Sequence, residues 1–378
     1  MLTKQSEDFA KWYNEVVLKT DLAEYSPVKG CMIIKPYGYA MWENIQKNMD
    51  AEIKKLGVNN VYFPLFIPER FFKKEADGMA KAALNMYRDF VENWLGIFCV
   101  VGKKTEAEKF AGTLYTLSVE ALMKDGKALQ MGTSHNLGQN FAKAFNIKFL
   151  DKKGRKNYVW QTSWGVSTRM IGGLVMAHGD DKGLVLPPKV APYQVVIIPI
   201  TFDTKTKSYI AKIEKTLFEK SIRFYTDASE HQTPGWKFHE WELKGAPLRI
   251  EIGPKEVKEN KITFVLRDEL KRSSIPLKQF EPEKLLDAMQ KRLLKKSEKF
   301  TLDNTFKVKS YEEFKKILKE KNGFVRAHWC GDNKCEKKIQ DETKATIRCI
   351  LSEQKNRDEK CVKCGQKSEM EVLFAKAY

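Results

Sequence analysis

The sequence predicts an α+β protein of two or three domains, and three observations carry that prediction. Apolar positions at steps of three and four alternate along the chain with short β-branched and aromatic runs. Such mixing of strands and helices points to α+β rather than to a doubly wound sheet. A proline-rich break, "GLVLPPKVAPYQ" at 183–194, separates a first part from a second. The C-terminal end carries two short-spaced cysteine pairs, of the kind that can close a metal site.

Taken in order, residues 39–57 place Trp42, Ile45, Met49, Ile53 and Leu56 on one helical face, and Gly57 supplies the stop. "VNNVYFPLFIPE" reads as a strand broken by Pro64 and Pro68. "NMYRDFVENWLGIF" (85–98) is an amphipathic helix, "KALQMG" a strand, "IKFLDKKGRKNYVWQTSWG" a hairpin and "TRMIGGLVMAHG" a buried helix. Past the proline break, "YQVVIIPI", a helix carrying Ile210, Ile213 and Leu217, then "IRFYTD", "LRIEIG" and "KITFVLRD" describe an α/β domain of about a hundred residues. Residues 269–322 are lysine-rich with a helical pattern. The divisions are 1–187, 188–290 and 291–378.

Composition narrows function. With 378 residues and a 42% hydrophobic share, the chain can bury sizeable cores. A net charge of +18, from 67 Lys+Arg against 49 Asp+Glu, points to a polyanionic partner, since each neutralised phosphate releases condensed counterions. No stretch is long and apolar enough to span a membrane as a helix, and the first twenty residues lack a signal peptide's apolar centre, so a cytoplasmic location is expected. Seven cysteines, four of them paired by spacing, suit a metal in a reducing compartment better than disulfides. Cys330-x4-Cys335 and Cys361-x2-Cys364 can close a tetrahedral thiolate site with no open position, which reads as structural zinc. Cys31, Cys99 and Cys349 lie in apolar contexts and read as inert.

Together, "EYSPVKGCMIIKPYGYAMWENIQKNMDAEIKKLGVNNVYFPLFIP", "GKKTEAEKFAG", "GTSHNLGQNF", "WQTSWGVSTRMIG", "HGDDKGLVLPP" and "TPGWKFHEWELKGAPLRIEIGP" resemble the prolyl-tRNA synthetases of eukaryotic and archaeal type. The resemblance implies a class II synthetase catalytic domain with an antiparallel sheet, an α/β anticodon-binding domain and a small zinc-binding C-terminal domain. It implies ATP-dependent activation of L-proline to prolyl-adenylate and transfer to the 3′ end of tRNA(Pro), by a homodimer using Mg2+. The helix before Pro64 and the strand "VYFPLF" would form the dimer interface. Gln130, Thr133 and Ser167 would contact ATP. Arg169 would be the class-defining arginine on the γ-phosphate. His135, Ser163, Trp164 and Gly165 would enclose proline. Cys330, Cys335, Cys361 and Cys364 would hold Zn2+, and Tyr378 would fold back toward the catalytic domain.

Physical chemistry weighs these roles. A guanidinium neutralises departing pyrophosphate with a planar fork that lysine lacks, so Arg169 is the right type, although it also fits a solvated helix start. His135 alone would be a satisfied core histidine; beside Gln130, Thr133 and Ser134 it reads as a ligand contact. Trp164 is either core or a wall for a small apolar ring. In "TPGWKFHEWELKG", Trp236, Lys237, Glu240 and Glu242 offer stacking, phosphate and base-edge contacts for an anticodon; the bland reading is a hairpin with core tryptophans.

The sequence departs from the family's pattern once. After "ERFFKKEA" the family continues through a stretch with the proline-binding Thr-x-Glu of "RPTSE", the second class II motif with its ATP-binding arginine, and a Glu-Gly-His; here Ala76 runs directly into "DGMAKAALNMYRDF". Either the stretch belongs between Ala76 and Asp77, where the chain would then show a break, or it is deleted. A true deletion would allow a synthetase-like tRNA-binding protein without catalytic activity.

Overall fold

A computed structural model describes residues 2–61, 76–151, 153–351, 359–368 and 370–378. The chain divides into two compact units: Met1–Asn48, Asn93–Ile97 and Leu174–Ser297 form one, and Met49–Glu92, Phe98–Gly173 and Glu298–Tyr378 form the other. Each unit thus gathers stretches far apart in sequence.

The second unit is organised by one eight-stranded sheet. Its strands are β1 (Cys99–Lys103), β2 (Tyr115–Leu122), β3 (Ala128–Gly138), β4 (Gln161–Gly165), β5 (Thr305–Lys307), β6 (Phe324–Trp329), β7 (Thr346–Leu351) and β8 (Met370–Ala375), in the order β5-β6-β8-β7-β1-β2-β3-β4. All neighbours run antiparallel except β5 and β6. The C-terminal strands therefore continue the same sheet that carries β3, through the pairing of Ile350 with Lys103. Helix α1 (Ala76–Asn93) buries Ala80, Ala83, Leu84, Tyr87, Phe90 and Val91, a stripe at steps of three and four. It covers one face of β3, where the Ser134 hydroxyl donates to the Ala80 carbonyl at 2.8 Å. Helix α1 is continuous through Ala76 and Asp77, so the chain break expected there is not found. Residues 62–75, and with them most of the expected dimer-interface strand, lie outside the described residues.

The first unit carries a five-stranded sheet in the order Phe224–Thr226, Val195–Pro199, Leu248–Ile252, Lys261–Leu266, Arg272–Pro276. Strand Val195–Pro199 has parallel neighbours on both sides and is buried along its whole length. That is why "VVII" shows no alternation: Val195 and Ile197 join the core with Ile213, Leu217 and Leu293, while Val196 and Ile198 pack with Trp241 and Ala246 on the other face. Two strands escaped the helical reading of 269–322. Arg272–Pro276 is an edge strand whose exposure alternates, and Thr305–Lys307 is too short to show a period. Cys349 and Cys99 are buried as expected, but Cys31 is exposed.

Candidate functional site

The polar positions of β3 share a face because of a bulge. Across from β2, Val119 faces Gly132 but Glu120 faces Gln130, which leaves Met131 as the extra residue. Gln130, Thr133 and His135 are thereby brought to one face, opposite Glu120, Ser118 and Thr116. From β4, Gly165 pairs with Thr133 and Ser163 with His135, adding two more candidates to that face. A Cβ placed on Gly165 would meet nothing within 4 Å, so the space above it is open. Trp164 pairs with Ser134 instead, on the face covered by α1, and its indole N–H is buried without a partner among the described residues. The register therefore separates Trp164 from His135, Ser163 and Gly165.

His135 is held from two sides. Its Nδ1 lies 2.9 Å from the Thr116 hydroxyl, and its ring sits 5.1 Å from that of Phe110. Thr113 donates its hydroxyl proton to the Phe110 carbonyl at 2.7 Å, and the Phe110 amide donates to Thr116 Oγ1 at 3.0 Å. We assign the Thr116 proton to its shorter contact, Nδ1, which leaves the hydrogen of a neutral imidazole on Nε2. Burial holds the His135 pKa below its usual value, in keeping with that neutral form.

Helix α2 (Arg169–His178) begins beside this face. Ser167 Oγ accepts from the Arg169 amide at 3.3 Å, and the Arg169 guanidinium donates to the Gln130 carbonyl at 3.3 Å. Both residues are exposed, and Arg169 is tethered to β3 by one nitrogen, its remaining guanidinium donors having no partner among the described residues and so able to meet an anion. Tyr378 does fold back within this unit: its amide donates to the Ala128 carbonyl at 3.2 Å and its hydroxyl to Asp125 at 2.7 Å, at the turn leading into β3.

The four cysteines converge. Their Sγ atoms all lie within 4.8 Å of one another, and Cys330 and Cys364 approach to 3.8 Å. That is about the edge of a tetrahedron with ~2.3 Å metal–sulfur bonds and far longer than a ~2.05 Å disulfide. Helix α3 (Asn333–Thr343) presents Cys335 in its first turn, and the Asp332 carboxylate caps that helix by accepting from the Lys334 amide at 2.8 Å. Burial pushes the Cys330 and Cys335 thiols up, a cost that a divalent cation would reverse. The donor set fits zinc.

The candidate anticodon residues sit on a helix, Pro234–Leu243, and not on a hairpin. Thr233 caps it and Pro234 opens it, a start signal readable in "TP". Trp236 is 47% exposed on the outer side. Lys237 points inward, only 4% exposed, and donates to the Asp227 carbonyl at 2.8 Å, so it is spent inside the fold. Glu240 pairs with Lys244 at 2.9 Å and Glu242 with Lys182 at 3.2 Å. Phe110, Thr116 and Glu120 were missed by the sequence reading; the motif "GKKTEAEKFAG" pointed to this loop without assigning its residues a role.

Two family profiles match the chain: "Prolyl-tRNA synthetase, C-terminal" over residues 311–378 and "Anticodon binding domain" over 194–286. The chain is 40% identical to "Proline--tRNA ligase 2" of Bacillus cereus over 469 positions, covering all of this chain and 98% of that protein. It is 39% identical to "Proline--tRNA ligase" of Natranaerobius thermophilus, again over 100% of the chain and 98% of the relative. Among solved structures it resembles the prolyl-tRNA synthetase of Cryptosporidium parvum complexed with L-proline and AMP, with a TM-score of 0.93, 33% identity, and coverage of 100% of this chain and 96% of that one. A complex of the Cryptosporidium parvum protein with halofuginone and AMPPNP superposes with a TM-score of 0.92 at 31% identity, covering 100% of this chain and 99% of that one. The 469-position alignment holds at least 91 positions at which this 378-residue chain has no residue.

Proposed function

The chain belongs to the prolyl-tRNA synthetase family, and from that premise we propose how its residues divide the work of a proline–tRNA ligase. It is an ATP-dependent aminoacyl-tRNA ligase: it joins L-proline to ATP as prolyl-adenylate, releasing pyrophosphate, and passes the prolyl group to the 3′ end of tRNA(Pro). The comparisons lend no support to a tRNA-binding protein without activity.

The observation that carries the residue assignment is the gathering of Gln130, Thr133, His135, Ser163 and Gly165 on one sheet face, with Arg169 tethered to the Gln130 carbonyl. In our reading proline lies over His135, Ser163 and Gly165, with the imidazole Nε2–H as a donor and the missing side chain of Gly165 leaving room for the ring. Gln130 and Thr133 lie toward the nucleotide, and Ser167 fixes the start of α2 so that Arg169 meets the pyrophosphate. Charge moves onto that leaving group as the proline carboxylate attacks the α-phosphate, and a guanidinium already in place stabilises it without reorganisation. Magnesium accompanies the nucleotide's phosphates. Zinc, held by Cys330, Cys335, Cys361 and Cys364, serves structure and not chemistry, since four thiolates leave no open position. In the anticodon-binding segment, Trp236 is an exposed ring able to stack on an unpaired base. A cytoplasmic homodimer completes the proposal. Among the described residues no helix is long and apolar enough to cross a membrane.

Proline-dependent ATP–pyrophosphate exchange tests the assignment. The full chain is expected to catalyse exchange, and Arg169→Ala to lose about 10²-fold or more in kcat, as loss of a preorganised donor to developing charge costs elsewhere. Exchange unchanged by Arg169→Ala would remove Arg169 from the site.

A further inference from the structure

The wall behind His135 is anchored at a distance. Phe110 ends a short turn that starts at Thr105, where the Thr105 carbonyl accepts from the Lys109 amide at 2.9 Å and Thr105 Oγ1 accepts from the Glu108 amide at 3.2 Å. That hydroxyl spends its own proton on a residue 231 positions away: it donates to Glu336 Oε1 at 2.8 Å. Both partners are buried, Thr105 at 1% and Glu336 at 5% exposure. Glu336 follows Cys335 in the first turn of α3, so its backbone is held in place by the helix cap and the cysteine cluster. At the other end of the turn, the Phe110 amide is bonded to Thr116, the same hydroxyl that meets His135. An unbroken series of contacts therefore runs from α3 through Glu336, Thr105, the 105–109 turn, Phe110 and Thr116 to the His135 ring.

A threonine capping its own turn needs no outside partner, because its oxygen accepts the Glu108 amide whichever way the proton points. The carboxylate of Glu336 does something further: it fixes the rotation of the hydroxyl and ties the turn to a different part of the sheet. We infer that Thr105 and Glu336 are positioning residues for proline recognition, holding Phe110 against His135 and so tying the proline side of the site to helix α3. This rests on the reading of His135 as a proline contact. The Arg169–Gln130 contact does not pass through Thr105 or Glu336: it joins the start of α2 to β3, where Glu120, across from Gln130, has its own partners in Lys104 and Arg348.

The test uses the full chain with Thr105→Val, Thr105→Ser, Glu336→Ala and Glu336→Gln. In ATP–pyrophosphate exchange, Thr105→Val and Glu336→Ala are each expected to raise the KM for proline about tenfold, the scale of one lost buried hydrogen bond. The KM for ATP is expected to stay within about twofold, and the double variant to be no worse than the poorer single one. Thr105→Ser keeps the donor and Glu336→Gln keeps an acceptor oxygen, so both should recover most of the wild-type proline KM. An activity-independent reading comes from the ring-nitrogen NMR signals of the five histidines, with His135 assigned by His135→Asn. Its signal should move in Thr105→Val and Glu336→Ala but not in Thr105→Ser. The inference is overturned if the KM values for proline and ATP rise together while the His135 signal stays put, or if Thr105→Ser behaves like Thr105→Val. Should His135→Ala leave the proline KM unchanged, the assignment of His135 to proline fails on its own; the His135 signal still decides whether Glu336 and Thr105 position it.

Discussion

Glu120 offers the sharpest test of what holds the site face of the large sheet. It lies directly across from Gln130 and is fully buried, with Lys104 at 3% and Arg348 at 9% side-chain exposure beside it. Each carboxylate oxygen serves a different cation: Lys104 Nζ donates to Oε1 at 2.8 Å, and Arg348 donates to Oε2 through Nε at 3.0 Å and lies 2.9 Å from it at Nη2. Glu120→Gln leaves one oxygen for two cations and turns an amide N–H toward the other. The loss is one charge-assisted hydrogen bond, about 1.5–3 kcal/mol, plus an uncompensated buried charge, which together place the expected destabilisation at about 3–5 kcal/mol. Replacing all three by apolar residues of similar size (Glu120→Leu, Lys104→Met, Arg348→Met) removes the desolvation cost as well, so the triple variant should return to within about 1 kcal/mol of wild type or exceed it. Because the chain forms two compact units, the assay is local: hydrogen exchange by mass spectrometry of peptides covering β2 and β7, with the free energy of opening compared between variants. A loss below about 1 kcal/mol in Glu120→Gln, or a triple variant as weak as the single one, would refute the reasoning.

Three further outcomes follow from the site. Since burial lowers the His135 pKa, the unfolded chain takes up the proton first as pH falls, and the neutral ring persists below the usual His value of about 6.5; proline-dependent exchange should therefore hold through pH ~6.5 and decline only below it, with His135→Asn abolishing that decline, and a midpoint above ~6.5 would contradict this. In the anticodon-binding segment, Trp236→Ala should weaken tRNA binding by about 1–3 kcal/mol with the fold intact, whereas Lys237→Ala should cost about 1–3 kcal/mol of stability and leave tRNA affinity alone; filter binding beside thermal melting separates the two. Elemental analysis should find one zinc per chain, and chelation or Cys361→Ser should lower the melting temperature by on the order of 5–10 °C; a chain that holds no zinc and melts unchanged would dismiss the metal site.

How much of this was legible in the sequence depends on the distance over which each feature is determined. The second half of helix α1 and the strand Val195–Pro199 were readable because a periodic stripe, or its absence in a strand buried on both faces, is a local property; the helix read at 85–98 in fact spans Ala76–Asn93. The cysteine pairs were readable for the same reason, since each pair needs only a tight turn. What escaped was whatever the register decides. Trp164 stands between Ser163 and Gly165 in sequence, yet one step along a strand turns its side chain to the face covered by α1. Met131, one residue extra, is what brings Gln130 onto the same face as Thr133 and His135. Lys237 is a surface residue by type and was read as a phosphate contact, but the helical turn that exposes Trp236 sends its neighbour inward to the Asp227 carbonyl. Glu336 lies beyond any local reading, because its partner is 231 residues away. The site therefore has two kinds of residue: those whose chemistry announces them in short polar runs, and those, such as Thr116, Glu120 and Glu336, whose importance exists only once the sheet has joined the two ends of the chain.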